Sequence, residues 1–139
     1  MTREEVREIF KEVGEIEDEL ARKDRYIQML REKAKQPEGV HYTDMPKVQA
    51  PSTSKMEEVV CDYLDRITEL EIEKGKWREK RARIEKMIDS ADKPAYRHVL
   101  RLRYLDRLTW EEIARVMGYG KRNVQYLDKH ALDSVALKY

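Results

Sequence analysis

The stretch that decides the fold is Thr109–Leu132, TWEEIARVMGYGKRNVQYLDKHAL. Thr109 followed three residues on by Glu112 is a capping box, in which hydroxyl and carboxylate each take up a free backbone amide at a helix start. Ile113, Ala114, Val116 and Met117 then make the apolar face of a short helix. Gly118 ends it, because glycine enters the left-handed conformation at little steric cost. Tyr119 and Gly120 carry the chain round. Lys121 opens a second helix with Val124, Leu127, Ala131, Leu132 and Val135 turned inward.

The spacing is that of a helix-turn-helix. Such a motif needs a small residue where its helices cross (Ala114), a glycine at the tight turn (Gly118) and a branched apolar residue facing back (Val124). Ile113, Met117, Tyr119 and Leu127 take the expected core positions. This leaves Gly120, Lys121, Arg122, Asn123, Gln125, Tyr126 and Lys129 facing outward. Arg pairs with the guanine edge through two bonds, Asn or Gln with adenine, and Lys reaches phosphate. Gly120 lets the backbone approach closely, and the free amides at Thr109 can hold a phosphate. These eight positions are the expected DNA contacts, with the second helix in the major groove. An ordinary helical hairpin with solvated lysines and arginines fits the same pattern.

Outward from this stretch, Asp92-Lys93-Pro94 reads as a cap followed by a first-turn proline. Tyr96, Val99, Leu100, Leu102 and Tyr104 follow at helical spacing, and Leu105 and Leu108 close that helix. Further back lie two heptad patterns. Val6, Ile9, Val13, Ile16, Leu20, Lys23, Ile27, Leu30 and Ala34 step by three and four, which predicts a helix over 3–35 capped by Thr2 and Glu5. Met56, Val60, Tyr63, Ile67, Leu70, Lys74, Trp77, Arg81, Ile84 and Ile88 repeat the design behind Ser54 and Glu57. Lys74 and Arg81 on apolar positions, with Gly75 beside them, predict looser pairing there. Residues 36–53 hold Pro37, Gly39, Pro46 and Pro51 and read as a linker, with Val40, Tyr42, Met45 and Val48 available to lie on the helices. The linker's reach permits an antiparallel or a parallel return. The seams either pack only on each other or leave apolar surface for a homodimer.

Composition agrees with long, wet helices: 41% of the 139 residues are charged, with five Gly and four Pro. The net charge of +1 is uneven. Asp92 to Tyr139 carries 10 Lys and Arg against 6 Asp and Glu, whereas the preceding residues carry 19 against 22. A basic unit on a slightly acidic arm suits contact with a polyanion at one end. Cys61 is the one cysteine, so no internal disulfide or cysteine metal cluster forms. His41, His98 and His130 are scattered. No cysteine–histidine pairing, glycine-rich phosphate loop or metal-ligand spacing occurs, so neither catalysis, nor a cofactor, nor a metal is expected. Carboxylates such as Glu15, Glu17, Asp18 and Glu19 belong to solvated faces. No apolar run has the length of a membrane span, and MTREEVREIF is not a signal peptide. The expectation is a cytoplasmic protein without a membrane partner.

The segments VLRLRYL, LTWEEIA, MGYGKRNV and KHAL together resemble region 4 of sigma-70-type factors, over about a third of the chain. In that family the second helix of the motif reads a promoter element. The whole arrangement of charged arm, proline-containing linker and C-terminal unit resembles small phage regulators of the RinA/ArpU type. That resemblance implies activation of late or packaging genes in phages and prophages, acting with the host RNA polymerase. Two departures stand out. Gly120 replaces the small hydroxyl residue that would cap the second helix, and the promoter-melting region of a sigma factor is absent, which favours an accessory activator.

The expected fold is therefore all-α: a two-helix, coiled-coil-like arm over 1–91, then a small helix-turn-helix unit over 92–139. The expected function is sequence-specific binding of double-stranded DNA in transcription regulation. A small terminase-like packaging adaptor and a coiled-coil interaction protein without specific DNA binding are the competing readings.

Overall fold

The computed structural model describes residues 1–35 and 51–139, and the regular structure among its described residues is all helical, with no strand. In chain order they form α1 (Arg3–Lys35), α2 (Pro51–Asp89), α3 (Pro94–Leu100), α4 (Trp110–Met117) and α5 (Lys121–Ala136). The predicted all-α class is what the chain adopts. Among the described residues no helix is long and apolar enough to cross a membrane.

The bounds of α1 are those its heptads predict, and Thr2 Oγ1 accepts the Glu5 amide at 3.2 Å. α2 begins earlier than expected, so residues 51–53 are helical rather than linker. Proline is tolerated in a first turn, where its missing N–H has no partner to lose. Residues 36–50, with Val40, Tyr42, Met45 and Val48, lie outside the described residues, as does the side chain of Ser54.

Contacts divide the chain into two compact units, Glu19–Trp77 and Met1–Asp18 with Arg78–Tyr139. This differs from a boundary at residue 91, because the ends of the long helices carry core residues of the larger unit.

In Glu19–Trp77, α1 and α2 run antiparallel. Ile27 and Leu30 form a buried cluster with Ile67 and Leu70, and Tyr63 packs against it. Lys23 Nζ faces Glu73 at 3.6 Å, and Lys74 pairs with Asp24. Lys74 is only 6% exposed, so its stem fills the seam while its ammonium meets a carboxylate rather than water. The seam expected to loosen here is closed by opposite charges.

In the larger unit, Val6, Phe10, Val13 and Ile16 of α1 are buried with Ile84 and Ile88 of α2 and with apolar residues of α3, α4 and α5. Phe10, which the heptad seam passes over, has no exposed surface and meets the Tyr104 ring at 5.4 Å between centroids. Ile9, which the seam includes, is half-buried. Arg81 pairs with Glu17 at 2.6 Å. Pro94 opens α3 as predicted, but the cap is Lys93, whose side chain makes no capping bond. Asp92 instead pairs with Lys138 at 2.8 Å, which holds its carboxyl below the usual range, and its amide donates to Ser134 Oγ at 2.9 Å. α3 runs on as a π-helical segment, Arg101–Leu105, closed by the Asp106 amide on the Arg101 carbonyl at 3.0 Å. Arg107 then takes a left-handed φ of 57° before α4.

Candidate nucleic-acid interface

α4 and α5 are joined by three residues, Gly118–Gly120, and each junction follows from its sequence. Thr109 caps α4 with both halves of the box formed: its Oγ1 accepts the Glu112 amide at 3.2 Å, and Glu112 Oε1 accepts the Thr109 amide at 3.2 Å. Gly118 ends α4 at φ 73°, and the amides of Gly118 and Tyr119 both donate to the Ala114 carbonyl, at 2.9 and 3.1 Å. Gly120 precedes α5 with extended backbone and supplies no side-chain cap. The start of α5 therefore rests on backbone bonds alone, with the Val124 amide donating to the Gly120 carbonyl at 3.1 Å.

The faces of α5 separate cleanly. Val124, Asp128, Ala131, Leu132 and Val135 are buried. Thr109, Gly120, Lys121, Arg122, Asn123, Tyr126 and Lys129 are exposed, and Gln125 is half-buried. The structure thus leaves all eight sequence-derived positions at or near the surface, seven of them on α5 or its N-cap. The first turn of α5 carries no acidic residue. Lys121 Nζ pairs with Glu111 at 2.8 Å, and this bond holds the Glu111 carboxyl below its ordinary range. Both partners are more than half exposed, so the pair is screened and readily exchanged. Arg122, Asn123, Gln125 and Lys129 make no side-chain hydrogen bond or ion pair among the described residues. Tyr126 stands 65% exposed with its ring edge against His130, 4.2 Å between centroids.

Two core assignments are corrected. Tyr119 is 47% exposed and Val116 is 56% exposed. The short connection turns Tyr119 outward, where it lines a shallow depression of about 260 Å³ with Asn123, Tyr126 and Leu127. Val116 is exposed on the flank of α4, while Ile113 is that helix's one fully buried residue and Met117, four residues on, shares its face. Leu127 and Met117 are half-buried rather than fully inside.

A buried polar group fixes the underside of α5, and the sequence reading missed it. Asp128 is 2% exposed, accepts from the Tyr104 hydroxyl at 3.3 Å and faces Arg7 Nη2 at 3.8 Å. Its other carboxylate oxygen, Oδ1, is buried without a partner among the described residues. Burial pushes the Asp128 carboxyl above its ordinary range and does the same to the Tyr104 hydroxyl. One turn on, Arg3 grips Asp133 through two bonds, at 2.8 and 2.7 Å, which holds that carboxyl low. Position 128 falls four after Val124, on the inward stripe, and that periodicity was the available signal.

No metal-holding group of His, Cys, Asp or Glu occurs among the described residues. No family model matches the chain, and no curated protein or solved structure is detectably similar to it.

Proposed function

We propose that this protein is a sequence-specific DNA-binding regulator of transcription, with α4 and α5 acting as a helix-turn-helix. The observation that carries the reading is the composition of the outward face of α5. Arg122, Asn123, Gln125 and Lys129 lie along the first half of α5 with their polar ends unengaged among the described residues, and the one carboxylate in that stretch, Asp128, is buried beneath the helix. A helix of this kind fits the major groove, where Arg reads guanine and Asn or Gln reads adenine through paired bonds. The capped start of α4 at Thr109 takes a phosphate of the flanking backbone. The likeness of VLRLRYL, LTWEEIA, MGYGKRNV and KHAL to sigma region 4 supports the same assignment. The resemblance of the whole arrangement to RinA/ArpU-type regulators extends the proposal to a phage or prophage late-gene activator working with the host RNA polymerase in the bacterial cytoplasm.

Selection of bound duplexes from a random pool tests this directly. A recovered consensus is expected, and Arg122→Ala and Gln125→Ala each weaken it by about 1–3 kcal/mol with relaxed preference at one position. Equal binding of all sequences with a steep salt dependence refutes the reading. The arm is proposed to make a homodimer. Leu64 and Ile72 of α2 are 51% and 59% exposed, apolar surface that a second copy would cover. Two half-sites in the selected DNA, and a dimer by sedimentation, are the expected outcomes. A ring of many subunits would favour a packaging adaptor instead.

A further inference from the structure

The larger unit holds a second feature that the α5 face does not use. Between the start of α1 and the segment 103–110 lies a cleft of about 420 Å³, the size range of small-ligand sites. Arg7, Lys11, Arg103 and Arg107 line it, and among the described residues no carboxylate does. Trp110 forms a wall, and the buried rings of Phe10 and Tyr104 lie behind it.

The cations differ in how they are held. Arg7 and Lys11 are matched by Glu4 and Glu8 of their own helix, at 2.8 and 3.7 Å. Arg103 forms no ion pair among the described residues, although the buried Asp128 charge acts on it at longer range. It donates through Nη1 to the Leu108 carbonyl at 2.9 Å and lies over the Trp110 ring at 4.0 Å, which fixes its plane. Arg107 makes no hydrogen bond or ion pair among the described residues. Two unfavourable local choices nevertheless place it. Its backbone sits at φ 57°, a conformation that side chains disfavour, and it faces Gly14 in the interior of α1. A Cβ at Gly14 would stand 3.2 Å from Arg107 Nη1. Local strain of this kind gathers where a ligand is gripped. Two guanidiniums that form no ion pair among the described residues match the oxygens of a phosphate. The volume exceeds what a phosphate alone occupies, and the remainder is bounded by an indole.

We propose that this cleft binds a small organic phosphate of the nucleotide class, with Arg103 and Arg107 on the phosphate and Trp110 beside the organic part. The site is separate from the outward face of α5, and the inference does not depend on DNA binding. It would give the protein a soluble effector.

The test titrates ATP into the full chain carrying Trp77→Phe, which leaves Trp110 as the sole tryptophan reporter. Calorimetric titration of the unaltered chain gives the same answer if that variant folds poorly. A saturable signal with a midpoint of roughly millimolar or tighter is expected. Inorganic phosphate and adenosine should each bind at least about tenfold more weakly. Arg103→Gln and Arg107→Gly should each weaken ATP by about tenfold or more. Arg107→Gly is the decisive variant, because glycine accepts a positive φ and the fold should be no less stable. Three results overturn the proposal: no saturable ATP binding, ATP binding unchanged in both variants, or adenosine binding as well as ATP. Weakened duplex binding by Arg107→Gly without any ATP binding also overturns it, and assigns the cleft to the DNA backbone.

Discussion

Replacing Phe10 with alanine separates the structure from the heptad reading. The seam of threes and fours runs through Ile9, yet Phe10 is the residue with no exposed surface, packed on Tyr104 at 5.4 Å. Removing a fully buried phenylalanine costs about 3–5 kcal/mol, the loss of transfer energy and the cavity together. The tilted ring pair with Tyr104 contributes roughly 0.5–1.5 kcal/mol within such a loss. Domains of ordinary size are stable by only about 5–15 kcal/mol, so Phe10→Ala should remove about a fifth of the total or more. Ile9→Ala, at a half-buried site, should cost clearly less. The assay is urea unfolding of the full chain, followed by helical circular dichroism and by tryptophan fluorescence. If the start of α1 belongs to the same cooperative unit as α3 to α5, the Trp110 environment melts with it at lower urea. A loss below about 1 kcal/mol, or Ile9→Ala exceeding Phe10→Ala, refutes the packing argument, since neither fits a full-size core cavity at Phe10.

Thr109→Ala removes the hydroxyl that accepts the Glu112 amide, leaving Glu112 only the backbone amide of residue 109, and should cost about 0.5–2 kcal/mol in thermal unfolding. Gly118→Ala forces a Cβ into φ 73° and should cost about 1 kcal/mol although the space around it is open; an unchanged melting temperature would show that the turn is not left-handed. Asp128→Asn tests the buried carboxylate through pH. Burial raises the folded-state pKa of Asp128, so the folded form holds more protons than the unfolded form above the ordinary value of about 4. Stability from this group is thus full at acid pH and is lost as pH rises through the raised value. The stability of the asparagine variant relative to wild type should therefore increase from about pH 4 toward neutrality, and a flat difference across urea titrations would contradict the assignment.

The sequence carries the elements whose signals are local. The Thr109–Glu112 box, the glycine stop at 118 and the start of α5 at Lys121 are each written within a few residues, and each is where the structure has it. What escapes is set by distant partners. Phe10 and Ile9 fit a helical stripe equally well, and Tyr104, far along the chain, decides between them. Asp128 looks like surface charge until Tyr104 and Arg7 are brought to it. Tyr119 sits where a helix-turn-helix expects a core residue, yet a three-residue connection leaves it no interior to enter. The cleft beside Arg107 combines two segments nearly a whole chain apart, so no motif announces it.

The same distribution of contacts explains how α5 can serve the proposed function. Its later turns are gripped from below: Asp128 by Tyr104 and Arg7, Asp133 by Arg3, and Ser134 by the Asp92 amide. Its first turns are anchored by the buried Val124, and among the described residues their one ion pair is the screened Lys121–Glu111 bond. The backbone is thus fixed before any partner arrives, while the outward side chains remain free. Ordering each such side chain on a partner costs roughly 0.5–1.5 kcal/mol. A single bond returning about 1 kcal/mol leaves almost nothing over, whereas a bidentate pair worth about 1–3 kcal/mol leaves a surplus. Discrimination should therefore concentrate in the groups able to make two bonds at once, Arg122, Asn123 and Gln125. Lys121 and Lys129, which act as point charges, should set affinity and its salt dependence without choosing the sequence.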